Sequence, residues 1–196
     1  MSRRRGSQLR IIAGQWRGRR LPIPAEIGVR PTGDRVRETL FNWLAPMLPG
    51  ARCLDLFAGT GALGLEALSR GAAEVVLVER ERRVADTLRR NLTTLGATQA
   101  RVECADGVHY LRNRPAGGPF EIVLLDPPYG TGLLADCCHA LATGGWLAPG
   151  AHIYIEDDRN TPTPPLPAGW HVHRQGRAGR CRFQLLRADG ANPDED

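Results

Sequence analysis

From residue 52 onward, short apolar runs alternate with longer amphipathic ones, and this alternation admits few folds. The runs predict strands at 52–57, 74–79, 101–104, 120–125 and 151–156. Helical spacing predicts helices between them at 62–70, 81–95, 107–113 and 132–144. Strands separated by helices pair in parallel through crossovers, which implies an α/β sheet covered on both faces. The pattern changes near the end. His171 to Arg174 and Cys181 to Arg187, joined through Gly176 to Gly179, predict an antiparallel hairpin at the sheet edge. The Pro-rich stretch Thr161 to Pro167 reads as a loop, and the acidic tail from Ala188 to Asp196 as disordered.

The first fifth of the chain has a different grammar. Gln8 to Gly14 and Arg19 to Pro24 are β-prone runs around a glycine-containing turn, which predicts a small hairpin. From Asp34, Val36, Leu40, Trp43, Leu44 and Met47 fall at helical spacing, and Pro49-Gly50 ends the helix. Arg35 and Arg37 lie off that stripe and are expected to face outward. The division expected is a basic extension over 1–50, a catalytic domain over 51–187 and a tail over 188–196.

Charge separates the same parts. All 26 basic side chains are arginine, so lysine chemistry such as a Schiff base or a Walker lysine is excluded. Residues 1–37 carry a balance of +8 and the remainder −3, within a net +5. Such a basic arm has the footprint of a phosphate-binding element. No apolar run approaches the roughly 20 residues of a membrane span, and no apolar core follows the basic N-terminus, so a cytoplasmic protein is expected. The five cysteines form no C-x-x-C pair, arguing against a disulfide framework or zinc site. His171 and His173 share a strand face and read as surface; no metal is expected.

Gly59-Thr60-Gly61-Ala62-Leu63-Gly64 spells G-x-G-x-x-G between a strand and a helix, a nucleotide-cofactor signal that is weak alone. Its neighbours narrow it. Asp55, before the loop, would repel a pyrophosphate but suit an ammonium or sulfonium; S-adenosylmethionine carries both and no phosphate. An acid in an apolar run is costly without a partner, which favours a ligand role for Asp55. Glu79, ending the next strand, can accept ribose hydroxyls of either cofactor class. Asp106 follows the third strand and reads equally as an adenine contact or a helix N-cap.

The fourth strand delivers Asp126-Pro127-Pro128-Tyr129. Two prolines stiffen the loop and lack N–H groups. Asp126 and the Pro127 carbonyl can accept both hydrogens of a planar amino group, and Tyr129 offers a face for base stacking. Held so, an exocyclic amine turns toward sp³ geometry and becomes nucleophilic; alignment and charge placement then carry the rate.

Leu54 to Gly64 resembles the cofactor motif of class I S-adenosylmethionine-dependent methyltransferases, and Asp126 to Tyr129 their amino-methylating motif. Arg10 to Gly14, Arg30 to Leu44 and Gly64 to Ala72 resemble the bacterial RsmD family, over roughly residues 8–187. The resemblance implies a Rossmann-like, seven-stranded, mostly parallel sheet with antiparallel last strands. It also implies methylation of the N2 amine of one guanine in 16S ribosomal RNA, within the assembling small subunit and beside ribosomal proteins, by an enzyme taken as a monomer. Asp126, Pro127 and Tyr129 are then catalytic. Ala58, Gly59, Thr60, Gly61, Ala62 and Glu79 join Asp55 and Asp106 at the cofactor. Arg10, Arg17, Arg19, Arg20, Arg30, Arg35 and Arg37 are candidates for RNA, Arg35 and Arg37 having a local acid such as Glu38 as alternative partner. Three other readings share parts of the pattern: an N6-adenine or N4-cytosine methyltransferase on DNA or other RNA, an NAD-dependent oxidoreductase, and a non-catalytic RNA-binding module.

Overall fold

The computed structural model describes residues 8–24 and 33–189, so Arg30 and residues 190–196 of the expected tail lie outside the described residues. Gln8–Arg10 (β1) and Arg20–Pro22 (β2) pair antiparallel, followed by α1 (Asp34–Leu44). Then come β3 (Arg52–Asp55), α2 (Gly64–Ser69), β4 (Glu74–Val78), α3 (Arg82–Leu95), β5 (Ala100–Glu103), α4 (Gly107–Tyr110), β6 (Phe120–Leu125), α5 (Leu133–Thr143), β7 (Leu147–Asp158), β8 (Trp170–Ala178) and β9 (Cys181–Ala188). The seven later strands form one sheet in the order β5-β4-β3-β6-β7-β9-β8. The first five are parallel and β9 runs antiparallel to both neighbours.

Alternation within the strands builds two cores. Val75, Leu77, Ile122 and Leu124 face the hairpin, α1, α2 and α3; Val76, Val123, Leu125 and Ile153 face α5 and the buried Trp146. In α3, Val84, Leu88, Leu92 and Leu95 line the buried side. Its C-terminus closes at Gly96, left-handed at φ +66°, where the Ala97 N–H donates to the Leu92 carbonyl at 3.0 Å. β7 is longer than the predicted 151–156. It begins at Leu147, and the sheet absorbs Pro149-Gly150 as a register shift between Phe120↔Leu147 and Ile122↔His152.

The N-terminal hairpin is fastened to α2 by buried polar groups. Glu66, fully buried, accepts the N–H groups of Ile12 (2.8 Å) and Ala13 (3.0 Å) and pairs with Arg70 Nε at 2.7 Å. Ser69 accepts the Trp16 N–H through its hydroxyl, which donates to the Ala13 carbonyl at 2.6 Å. Gly14 lies so close that a Cβ there would overlap the Ser69 carbonyl.

Arg37 corrects the expected helix face. It is 2% exposed, on the same side of α1 as Leu40, Phe41 and Leu44. Its guanidinium donates to the Arg10 carbonyl and to Asp34 (2.5 Å) and lies 3.8 Å from Glu66. Residues three and four before Leu40 and Phe41 necessarily share their face; the acids on either side make the charge tolerable there. Arg37 is a structural ion, not an outward contact.

Candidate active site

In parallel α/β sheets ligands bind beyond the carboxyl ends of the strands, where the strand order reverses. Here β3 is that point, with β4 on one side and β6 on the other. β3 ends at Asp55, which is 1% exposed. Its Oδ2 accepts the Gly64 N–H at 2.9 Å, at the first residue of α2, and the Phe57 N–H is a second donor to it. Burial nonetheless pushes its carboxyl up to about 7. The burial cost that favoured a ligand role for Asp55 is therefore met in part by backbone amides from within the loop. A side chain at Gly64 would force Leu77 to move, since a Cβ would lie 2.4 Å from its Cδ2, and would crowd Asp55 Oδ2 at 3.0 Å.

The loop itself bends through left-handed Gly59 (φ +50°) and Gly61 (φ +80°). A Cβ on Gly61 would strike Leu88 and Leu65, whereas Gly59 meets only the Phe57 carbonyl at 3.8 Å and stays open. Ala58, Thr60 and Ala62 are buried around the turn. Glu79 follows β4, half-buried; its Oε2 accepts the Gly59 N–H at 2.9 Å and its Oε1 the Glu81 N–H at 2.7 Å. The Gly59 amide, at the open side of the loop, is thus taken by the Glu79 carboxylate, which a pyrophosphate there would meet as a like charge, and the Gly64 amide by Asp55. The donor set fits a cofactor without phosphate and with positive charge. Asp106 is exposed and caps α4, accepting the His109 N–H at 3.0 Å, the N-cap alternative of the sequence reading.

β6 lies beside β3, with Asp55 in register with Leu124. Asp126, two residues on, is half-buried, Pro127 is buried and Tyr129 is 46% exposed. The Tyr129 hydroxyl donates to Glu156 Oε1 at 2.7 Å, and the buried Tyr154 donates to Oε2 at 2.9 Å. Burial and the Glu156 charge push the Tyr129 phenol well up. A cavity of about 240 Å³ opens beside the loop, between Pro127 to Ala135, Glu156 to Asp158 and Thr161 to Pro164. The β8–β9 turn reaches the same end of the sheet, where Asp158 holds Arg180 at 2.5 Å and Asp157 pairs with Arg182.

Of the arm's arginines, Arg17, Arg19, Arg20 and Arg35 are exposed, and Arg10 is exposed while pairing with Asp34 at 2.8 Å. Glu66, Ser69, Tyr154 and Glu156 were not singled out in the sequence. Tyr154 and Glu156 stand two apart on a strand and so share a face, the one available signal.

Comparison with known proteins places this geometry. The ribosomal RNA small subunit methyltransferase D of Escherichia coli is 50% identical over 93% of this chain and 91% of its own length. The Haemophilus influenzae protein of that name is 42% identical over 91% of this chain and 93% of its own. A solved Escherichia coli structure ascribed to a methyltransferase superposes with a TM-score of 0.87 at 48% identity, covering 93% of this chain and 99% of that one. The TrmN structure from Thermus thermophilus gives 0.63 at 27% identity, over 78% and 48%. With residues 9–187 matched, the chain belongs to the family described as Conserved hypothetical protein 95.

Proposed function

We propose that this chain is an S-adenosylmethionine-dependent methyltransferase acting on the N2 amine of one guanine in 16S ribosomal RNA. It would act in the cytoplasm, as a monomer, on the assembling small subunit. The observation that carries the reading is the adjacency of β3 and β6. The glycine loop and Asp126-Pro127-Pro128-Tyr129 leave the carboxyl ends of two paired strands, about 4.8 Å apart. The curated relatives' name supplies the RNA class.

S-adenosylmethionine, when bound, supplies a methyl group activated by a sulfonium leaving group. The residues that would hold it are Ala58 to Ala62 and Glu79, with Asp106 beside the adenine and Asp55 shaping the loop beneath. Asp126 and the Pro127 carbonyl accept the two N–H groups of the amine, and the Tyr129 ring holds the base. The nitrogen lone pair is thereby withdrawn from the ring system and aimed. Arg10, Arg17, Arg19, Arg20 and Arg35 meet RNA phosphates, for which guanidinium offers a bidentate fork.

Mass spectrometry of 16S nucleosides tests this directly. Cells lacking the gene should lose one N2-methylguanosine, restored by the wild-type chain and not by Asp126→Ala. An unchanged nucleoside profile would refute the assignment.

A further inference from the structure

The loop that carries the reacting groups has little backbone fastening of its own. Pro127 and Pro128 contribute no N–H, and Gly130 and Gly132 both sit at φ +74°. Beyond the prolines, the Thr131 hydroxyl donates to the Pro128 carbonyl, a tie within the loop rather than to the sheet. Tyr129 reaches the sheet through its hydroxyl, on Glu156 Oε1 at 2.7 Å. Glu156 is 7% exposed, in the last turns of β7, and its other oxygen is fixed by Tyr154, which is fully buried. Cys181 on β9, paired in register with Asp158, closes the third side; its thiol contacts both Glu156 and Tyr129, and burial beside Glu156 pushes it up to about 12. Among the described residues no arginine pairs with Glu156; its partners are neutral groups, two phenols and the Cys181 thiol.

We propose that Glu156 is the positioning residue of the catalytic loop, holding the Tyr129 phenol by its oxygen so that the ring presents a face to the target base. The inference rests on the function proposed above and deepens it. A hydroxyl committed inward at 2.7 Å is not offered to substrate, while nearly half of the residue stays exposed, so the ring is what Tyr129 offers. A carboxylate is a stronger acceptor than a neutral group, and one locked by a second phenol cannot rotate away. Glu156 thus acts through Tyr129 and touches no reacting atom.

The test uses the full chain with small subunits from cells lacking the gene. Methylation kinetics, cofactor affinity and melting temperature are measured for Tyr129→Phe, Glu156→Gln, Glu156→Ala and the double variant Tyr129→Phe/Glu156→Ala. Tyr129→Phe and Glu156→Ala should each lower kcat/KM about tenfold, the size of one charge-assisted hydrogen bond. The double variant should be no worse than the poorer single, cofactor affinity should hold, and Glu156→Gln should recover part of the loss. Wild-type kinetics in Tyr129→Phe, a variant that keeps the ring and the Glu156–Tyr154 bond, would overturn the proposal. So would multiplying losses in the double variant.

A second measurement does not depend on activity or on Glu156→Ala folding. In protein labelled with ¹³C-tyrosine, the Tyr129 Cζ resonance, identified by its absence in Tyr129→Phe, should shift in Glu156→Gln. An unmoved resonance overturns the positioning role and leaves the proposed function standing. If the wild-type chain methylates no small-subunit guanine, the function falls, whatever the resonance does.

Discussion

Two carboxylates fasten the two working parts of this molecule, and they do so by different physics. Glu66 binds the arm to α2 with backbone amides and guanidinium groups, all within the protein. Glu156 holds the Asp126 to Tyr129 loop through the Tyr129 phenol, is braced by the Tyr154 phenol and the Cys181 thiol, and pairs with no cation among the described residues. The first arrangement compensates a buried charge and makes the arm part of the folded core. The second holds a half-exposed ring by its hydroxyl alone, through Glu156 with Cys181 beside it. On the proposed function, the molecule is rigid where it would grip and lightly tied where it would react.

That contrast can be broken in order of effect. Asp126→Ala should reduce methyl transfer at least about 10²–10³-fold, the usual cost of losing a preorganised polar contact to reacting atoms. Its melting temperature should match wild type. A variant that instead fails to fold would mean the catalytic loop is as structural as the arm's anchor. Glu66→Ala should do the reverse, destabilising the protein by about 3–5 kcal/mol because Arg37 is left buried without its inner acid. Chemical denaturation measures this, and a loss below 1 kcal/mol would show that Asp34 and the Arg10 carbonyl suffice.

A smaller effect concerns pH. The Asp55 carboxyl stands near 7 in the fold against an ordinary value of 3.8, so the folded state holds the extra proton between those limits. The stabilising contribution is complete below about pH 4 and is lost as pH rises through about 7. Asp55→Asn keeps an oxygen for the Gly64 amide and removes the titration. Its melting temperature should gain on wild type from pH 5 to pH 8; parallel curves would contradict the buried-acid account. Smallest is the arm. Replacing Arg19 and Arg20 by Ala should lower the slope of log affinity against log salt by about one per lost phosphate contact, with stability unchanged. An unaltered slope would remove these two from the RNA surface.

The sheet was legible because its signal is redundant: Val75 to Val78 and Ile122 to Leu125 are unbroken apolar runs buried on both faces, the second bounded by Pro119 and Pro127. The glycine loop and the Asp126 to Tyr129 turn were legible because their residue types have few other uses together. Arg37 was misread because a charge was assumed to mark a polar face, although its spacing to Leu40 and Phe41 said otherwise. For Asp55 the sequence favoured a ligand as partner because amides folding back from Gly64, nine residues on, leave no mark in composition. Glu156 was hidden by its neighbours: Glu156-Asp157-Asp158 looks like a solvated strand end until the sheet sets Tyr129 against it.

The helix α2 joins these themes in six residues. Its first amide closes on Asp55, its third residue holds the arm through Glu66, and its last does so again through Ser69. One residue added or removed would turn everything downstream by about 100°, swinging either Glu66 and Ser69 away from the hairpin or Gly64 away from Asp55. Natural relatives and engineered versions alike should accept length changes in the proline-rich loop at 161–167 and none in this segment, whose length is set by two attachments at once.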